Sequence, residues 1–99
     1  MIYEVSKQFP KEELYGLTNQ LRRSAYSIPA NIAEGCGKNT KADFANFLNI
    51  ALGSANESEY FILLSKDLSY VNIEKSGTLS KLINEIKAIL IALIAKVRL

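Results

Sequence analysis

The sequence predicts an all-α fold: an antiparallel up-and-down four-helix bundle with a shortened first helix. Three observations predict it. Apolar residues recur at helical spacing, with Leu14, Leu21 and Ile28 seven apart and Ala25 and Ile32 likewise, the pattern of a helix laid along a bundle seam. No stretch alternates with period two over a useful length, so no strand is predicted. Glycine and proline fall only where a helix ends, kinks or weakens.

The first helix covers residues 1–8. Ile2, Tyr3, Val5 and Phe9 read as the tail of an amphipathic helix with no cap before it. Pro10 ends it, because the residue before proline avoids the α region. The second helix covers residues 11–34, with Pro10 at its first turn and Glu12 and Glu13 near its positive end. Gly16 weakens it by about 1 kcal/mol relative to Ala. Pro29 costs about 3 kcal/mol in a helix interior. The helix therefore kinks near Ala25–Ser27, or two helices meet there; the unbroken apolar phase through Ile32 favours a kink. Gly35-Cys36-Gly37 supplies the stop, through a left-handed cap.

The third helix covers residues 41–69, with Thr40 as N-cap and Asp43 as its N3 carboxylate. Phe44, Phe47, Leu48, Ala51, Leu52, Ala55, Ile62 and Leu63 form its apolar line. Gly53-Ser54-Ala55 is a small-residue patch suited to close helix approach. Glu59 falls on the apolar line and needs a partner, since an unpaired buried charge is very costly; Arg22 and Arg23 are the nearest cations expected. Ser69 to Asn72 makes a turn, and the fourth helix covers residues 73–98 with Asn72 as cap. Leu79, Leu82, Ile83, Ile86, Ile89, Leu90, Leu93, Ile94 and Val97 form its core stripe, and Ala88, Ile91, Ala92 and Ala95 widen it. A helix apolar nearly all round is buried from more than one side; here the second side is expected to be another subunit.

At 99 residues the chain is one domain, with a core that assembly would help. Apolar residues make up 48% and charged residues 22%, which places it among globular chains. The net charge is +2, so affinity for nucleic acid must rest on clustered cations. Histidine is absent, removing the commonest general base and zinc ligand. The single Cys36 reads as a reduced thiol of a cytosolic protein. The apolar run Ala88–Ala95 is too short to span a bilayer and no signal peptide is seen, so the chain reads as soluble and cytoplasmic.

No catalytic constellation is found. Glu57 and Glu59 diverge by about 200° around a helix and cannot share a metal or substrate. No Glu-x-x-His pair, phosphate-binding loop or nucleophile elbow is present. Arg23, Ser27, Ala30 and Glu34 line one face of the second helix with Asn31 at its border, an exposed or inter-subunit face or a recognition surface. Lys11, Tyr15, Arg22 and Tyr26 form another flank, suited to packing with cation–π support or to stacking on unpaired bases. Lys38 and Lys41 lie beside the N-terminus of the third helix, as solvated loop lysines or as phosphate contacts. Lys96 and Arg98 complement the dipole at the chain's end. The nucleic-acid candidates are thus Arg22, Arg23, Lys38 and Lys41. The structural or interface candidates are Ser27, Pro29, Asn31, Glu34, Gly53 and Glu59. No metal or cofactor is expected.

Several segments resemble a known family: Phe9-Pro10, Leu21-Arg22-Arg23, Ser27-Ile28-Pro29-Ala30-Asn31-Ile32-Ala33-Glu34-Gly35, and Ala51-Leu52-Gly53-Ser54 with Glu57 and Glu59. They are similar to the four-helix bundle proteins encoded in intervening sequences of bacterial 23S ribosomal RNA. The resemblance covers essentially the whole chain. It implies a bundle assembled as a ring, a homopentamer, that is non-enzymatic and binds RNA. A related branch comprises accessory proteins of diversity-generating retroelements, which bind nucleic acid and a reverse transcriptase. That branch implies the alternative of a protein-interaction scaffold without nucleic-acid contact. Family members usually carry a fuller, Trp-containing first helix. Its absence here reads as a start assigned late, a trimmed chain or a first helix that is really short; if short, the groove between helices two, three and four is partly open, and a partner helix or ring neighbour is expected to cover it. The retroelement branch is also strongly basic, and this chain is nearly balanced.

Overall fold

The computed structural model describes residues 1–99. The elements are α1 (Ile2–Ser6), a 3-10 turn at Lys11–Glu13, α2 (Leu17–Cys36), α3 (Lys41–Asp67) and α4 (Ile73–Val97). α3 packs against both α2 and α4. Ser24 meets Ser58 and Ser27 meets Ser54, so residue order reverses and α2 runs antiparallel to α3. Ala55 and Ile62 share one apolar cluster with Leu79 and Ile83, while Leu48 and Ala51 share another with Leu90 and Ile94; α4 therefore reverses again. The molecule measures 44 × 24 × 16 Å. α2 and α4 each pack on α3 far more than on one another, so the three long helices form a slab with α3 in the middle.

The starts of α3 and α4 follow from their caps. Thr40 Oγ1 accepts the Asp43 N–H at 3.1 Å and Asn72 Oδ1 accepts the Lys75 N–H at 2.7 Å, each pairing a backbone donor left over in a first turn. α3 ends at Asp67, not at residue 69. Ser69 takes a left-handed conformation with φ 64°. Its N–H bonds to the Lys66 carbonyl and the Tyr70 N–H to the Ser65 carbonyl, a Schellman closure built on serine in place of glycine. α4 ends at Val97, one residue short of the expected bound.

The second helix departs most from expectation. Residues 11–16 do not belong to it: after the 3-10 turn, Gly16 breaks the chain with φ −104° and ψ −112°, and the helix begins at Leu17. Leu14 is therefore 46% exposed, and Leu17, Leu21 and Ile28 carry the seam. The joint of two helices at Ala25–Ser27 does not occur; α2 is continuous through Pro29, which lies on its exposed side. The stop is also different. No glycine has positive φ, and Gly37 is right-handed at φ −86°. Gly35 serves another purpose. A Cβ there would sit 2.9 Å from Phe47 Cβ and 3.0 Å from Phe44 Cδ1, so the missing side chain lets α2 approach α3. Gly53, by contrast, faces open space and brings no two helices of this chain together.

α1 lies alongside α2 on the side that faces α4, with Met1 near Pro29 and Ser6 on Arg22, so it runs antiparallel to α2 as a short fourth helix. Ile2 and Val5 pack on the cluster that holds Phe9, Leu17, Leu21, Leu79 and Ile83. Met1 sits between Ala25 and Pro29 on the α2 side and Thr78 and Leu79 on the α4 side. Arg22 anchors this arm, with Nε donating to Ser6 Oγ at 2.8 Å and its guanidinium 4.1 Å from the Tyr3 ring centre. Nearby, Thr18 Oγ1 is buried without a partner. Further along α4, Leu82, Ile86 and Ile89 are 39%, 36% and 66% exposed. No helix of the chain is long and apolar enough to cross a membrane.

Candidate functional site

The four candidate cations do not form one patch. Arg22 is committed to Ser6 and Tyr3. Lys38 bonds Glu34 at 3.4 Å and lies 5.1 Å from the Phe47 ring centre, closing the end of α2 onto α3. Arg23 and Lys41 are exposed and take part in no ion pair. Arg23 sits in the middle of α2. Lys41 opens α3 in a shallow groove with Arg98 and Leu99. Thirteen residues of α2 separate Arg23 from Cys36 at the Lys41 end, about 20 Å at 1.5 Å per residue. The flank of Lys11, Tyr15, Arg22 and Tyr26 also does not assemble, because residues 11–16 are not helical on α2 and Arg22 stacks on Tyr3 instead.

What the fold does bring together is a polar seam between α2 and α3. Ser58 Oγ lies 2.9 Å from Ser24 Oγ, and Ser54 Oγ donates to Ser27 Oγ at 2.8 Å. Ser27 Oγ also accepts Asn31 Nδ2 at 2.8 Å. Of the structural candidates, Asn31 bonds Ser27 within α2, and Ser27 belongs to a hydroxyl ladder that joins the two helices. Ser24, Ser54 and Ser58 complete it. Their signal was present in the sequence, since Ser54 and Ser58 stand in phase with Ala51, Ala55 and Ile62 at core spacing. Hydroxyls at these places allow close approach while every one finds a partner.

Above this seam runs an open groove of about 350 Å³, lined by Gln20, Arg23, Ser24, Ser27, Glu57 and Phe61. Sequence reasoning had Arg23 and Ser27 on this face and missed Gln20, Glu57 and Phe61. Gln20 joins it by helical spacing along α2, and Glu57 and Phe61 only because α3 packs antiparallel to α2. Arg23 and Glu57 are both exposed, and neither has an ion-pair partner. Glu59 lies on the far side of α3, as its angular offset from Glu57 requires. Its partner is Lys87 of α4, at 3.2 Å, and not Arg22 or Arg23. α3 separates Glu59 from both arginines. The groove beside it is lined by Asn56, Tyr60, Leu63 and Ser80.

A second clasp ties the loop before α2 to the α3–α4 turn. Tyr70 O–H donates to a Glu13 carboxylate oxygen at 2.9 Å, and its ring meets Phe9 at 5.6 Å between centroids. The Tyr70 pKa is raised above its ordinary 10.0, first by that hydrogen bond, then by desolvation and by the charges of Glu13 and Glu12. No three His, Cys, Asp or Glu side chains gather as a metal site would require.

Slab, seam and open groove define a small all-α helical-bundle protein. The chain belongs to the 23S rRNA-intervening sequence protein family, whose sequence profile matches residues 1–92. It is also similar to a crystal structure of a protein of unknown function from the S23 ribosomal protein family of Bacteroides thetaiotaomicron VPI-5482. The two share 31% identity and superpose with a TM-score of 0.80, over 95% of this chain and 98% of that one. No curated protein matches the chain.

Proposed function

We propose that the protein is a non-enzymatic, cytoplasmic bundle that assembles with copies of itself into a ring, a homopentamer, and contacts RNA through residues repeated around the exterior. One observation carries this reading. α4 leaves Leu82, Ile86 and Ile89 in solvent, and with Leu93 they are spaced by four, three and four residues. That is the spacing of a helix–helix seam. The chain's own helices leave that seam uncovered, and the hydrophobic effect favours a neighbour that covers it. Arg23 and Lys41 supply unpaired cations on each copy, and repetition converts one weak contact into avidity. The reading invokes no metal or cofactor.

Light scattering coupled to gel filtration tests the first half; a single-chain mass across the micromolar range defeats it. Electrophoretic shifts with structured RNA, single-stranded RNA and duplex DNA over a salt series test the second half. Phosphate contact predicts affinity that falls steeply with salt. A second reading has its own support: of the four candidate cations Arg22 and Lys38 are engaged within the chain, and Arg23 and Lys41 stand at separate places, so they gather into no concentrated basic patch. On that reading the ring is a scaffold for a protein partner such as a reverse transcriptase. A stable ring with no RNA shift at low salt decides for it.

A further inference from the structure

The α2–α3 groove combines features that the reading above leaves unused. Its lining carries one aromatic ring, one carboxylate and one guanidinium, from Phe61, Glu57 and Arg23. Phe61 and Glu57 are one turn apart on α3, and Arg23 stands on the facing wall. The two charged groups share the groove without forming an ion pair with each other or with any other residue. Ser27 Oγ already accepts from Ser54 and Asn31, so its own hydroxyl hydrogen is left to donate. Gln20 adds an amide that both donates and accepts. An ionised carboxylate only accepts, through two oxygens side by side. Among the four RNA bases, guanine alone presents two adjacent N–H donors on its Watson–Crick edge. Uracil and cytosine interleave acceptors there, and adenine offers one amino group beside an acceptor.

We propose that this groove seats one unpaired guanine nucleotide: its edge on the Glu57 carboxylate, its face along Phe61 and its phosphate on Arg23. Unpaired bases are recognised in this manner, by stacking on a side chain and by hydrogen bonds to an open edge. The inference rests on the RNA-contact reading for its macromolecular form. The same chemistry is offered by free guanosine monophosphate. Glu57 then has a role that pure phosphate binding denies it, since a carboxylate beside a phosphate track repels.

Fluorescence anisotropy of a labelled single-stranded uridine oligonucleotide, with or without one central guanine, tests the seat. The intact protein is expected to prefer the guanine oligonucleotide by about tenfold, the scale of one good bidentate contact. Glu57→Gln abolishes the preference while leaving the salt dependence in place, and Arg23→Ala weakens both oligonucleotides alike. Equal affinity for the two oligonucleotides, or a preference that survives in Glu57→Gln, overturns the seat while RNA contact stands. The second arm titrates guanosine monophosphate and adenosine monophosphate against the protein, followed by NMR shifts of Arg23 and Glu57. Guanine-selective shifts without any oligonucleotide binding uphold the seat for a free nucleotide and remove the RNA reading. No response in either arm overturns both.

Discussion

Two residues show how much of this fold turns on single atoms. Gly35 is buried where α2 crosses the start of α3, and an added Cβ would lie 2.9 Å from Phe47 Cβ. That atom hangs directly on the α3 backbone, so relief requires the helices to part. Overpacking of this kind costs about 1–3 kcal/mol, against a gain in helix propensity of at most about 1 kcal/mol. Gly35→Ala is therefore expected to lower stability in urea unfolding, and Gly53→Ala, with open space around it, to raise it slightly. Tyr70 makes a different prediction. Its folded pKa is above that of the unfolded chain because its proton is held by Glu13. The contribution to stability is fully present below pH 10 and is lost as pH rises through the folded value. Glu13→Ala removes the acceptor and its charge, so the tyrosinate absorbance of Tyr70, isolated by comparison with Tyr70→Phe, is expected to titrate at lower pH in that variant.

Among the elements, α3 and α4 were largely legible in the sequence and α2 was not. Thr40 with Asp43, and Asn72, announced their helices because capping is local chemistry between residues three apart. The start of α2 depends on distant partners. Glu13 is drawn to Tyr70 and Phe9 packs against the same ring. Those contacts hold residues 11–16 off the helix axis that their apolar spacing alone suggested. The groove was half legible for a related reason. Arg23 and Ser27 share a face by helical arithmetic, but Glu57 and Phe61 reach it only through the pairing of α2 with α3. The partner of Glu59 was hidden in the same way, because Lys87 lies 28 residues away. That pair is part-exposed, at 34% for Glu59 and 22% for Lys87. A double-mutant cycle on Glu59 and Lys87 is expected to give about 0.2–1 kcal/mol of coupling. A value several times larger means that this side of α3 is covered in the working assembly.

For the molecule as a whole, the slab and the bare seam of α4 tie folding to association. Covering Leu82, Ile86 and Ile89 contributes about 25 cal/mol for each Å² taken from water, and ordering entropy opposes it. Stability should therefore rise with protein concentration, as it does whenever a partner binds only the folded state. The double substitution Ile86→Glu with Ile89→Glu is expected to reduce the mass in light scattering to a single chain, with helical circular dichroism retained at low temperature. Unchanged mass moves the interface to another face, and Ile50, Tyr60 and Leu63 are the exposed large apolar positions of α3.

Cys36 ends α2 with its thiol open to solvent, and the chain holds no second cysteine. One maleimide dye will therefore attach to each copy at a known corner of the slab, without any engineered residue. Stepwise photobleaching of single labelled particles then counts the copies directly, and energy transfer between two colours mixed within one particle measures the spacing of those corners.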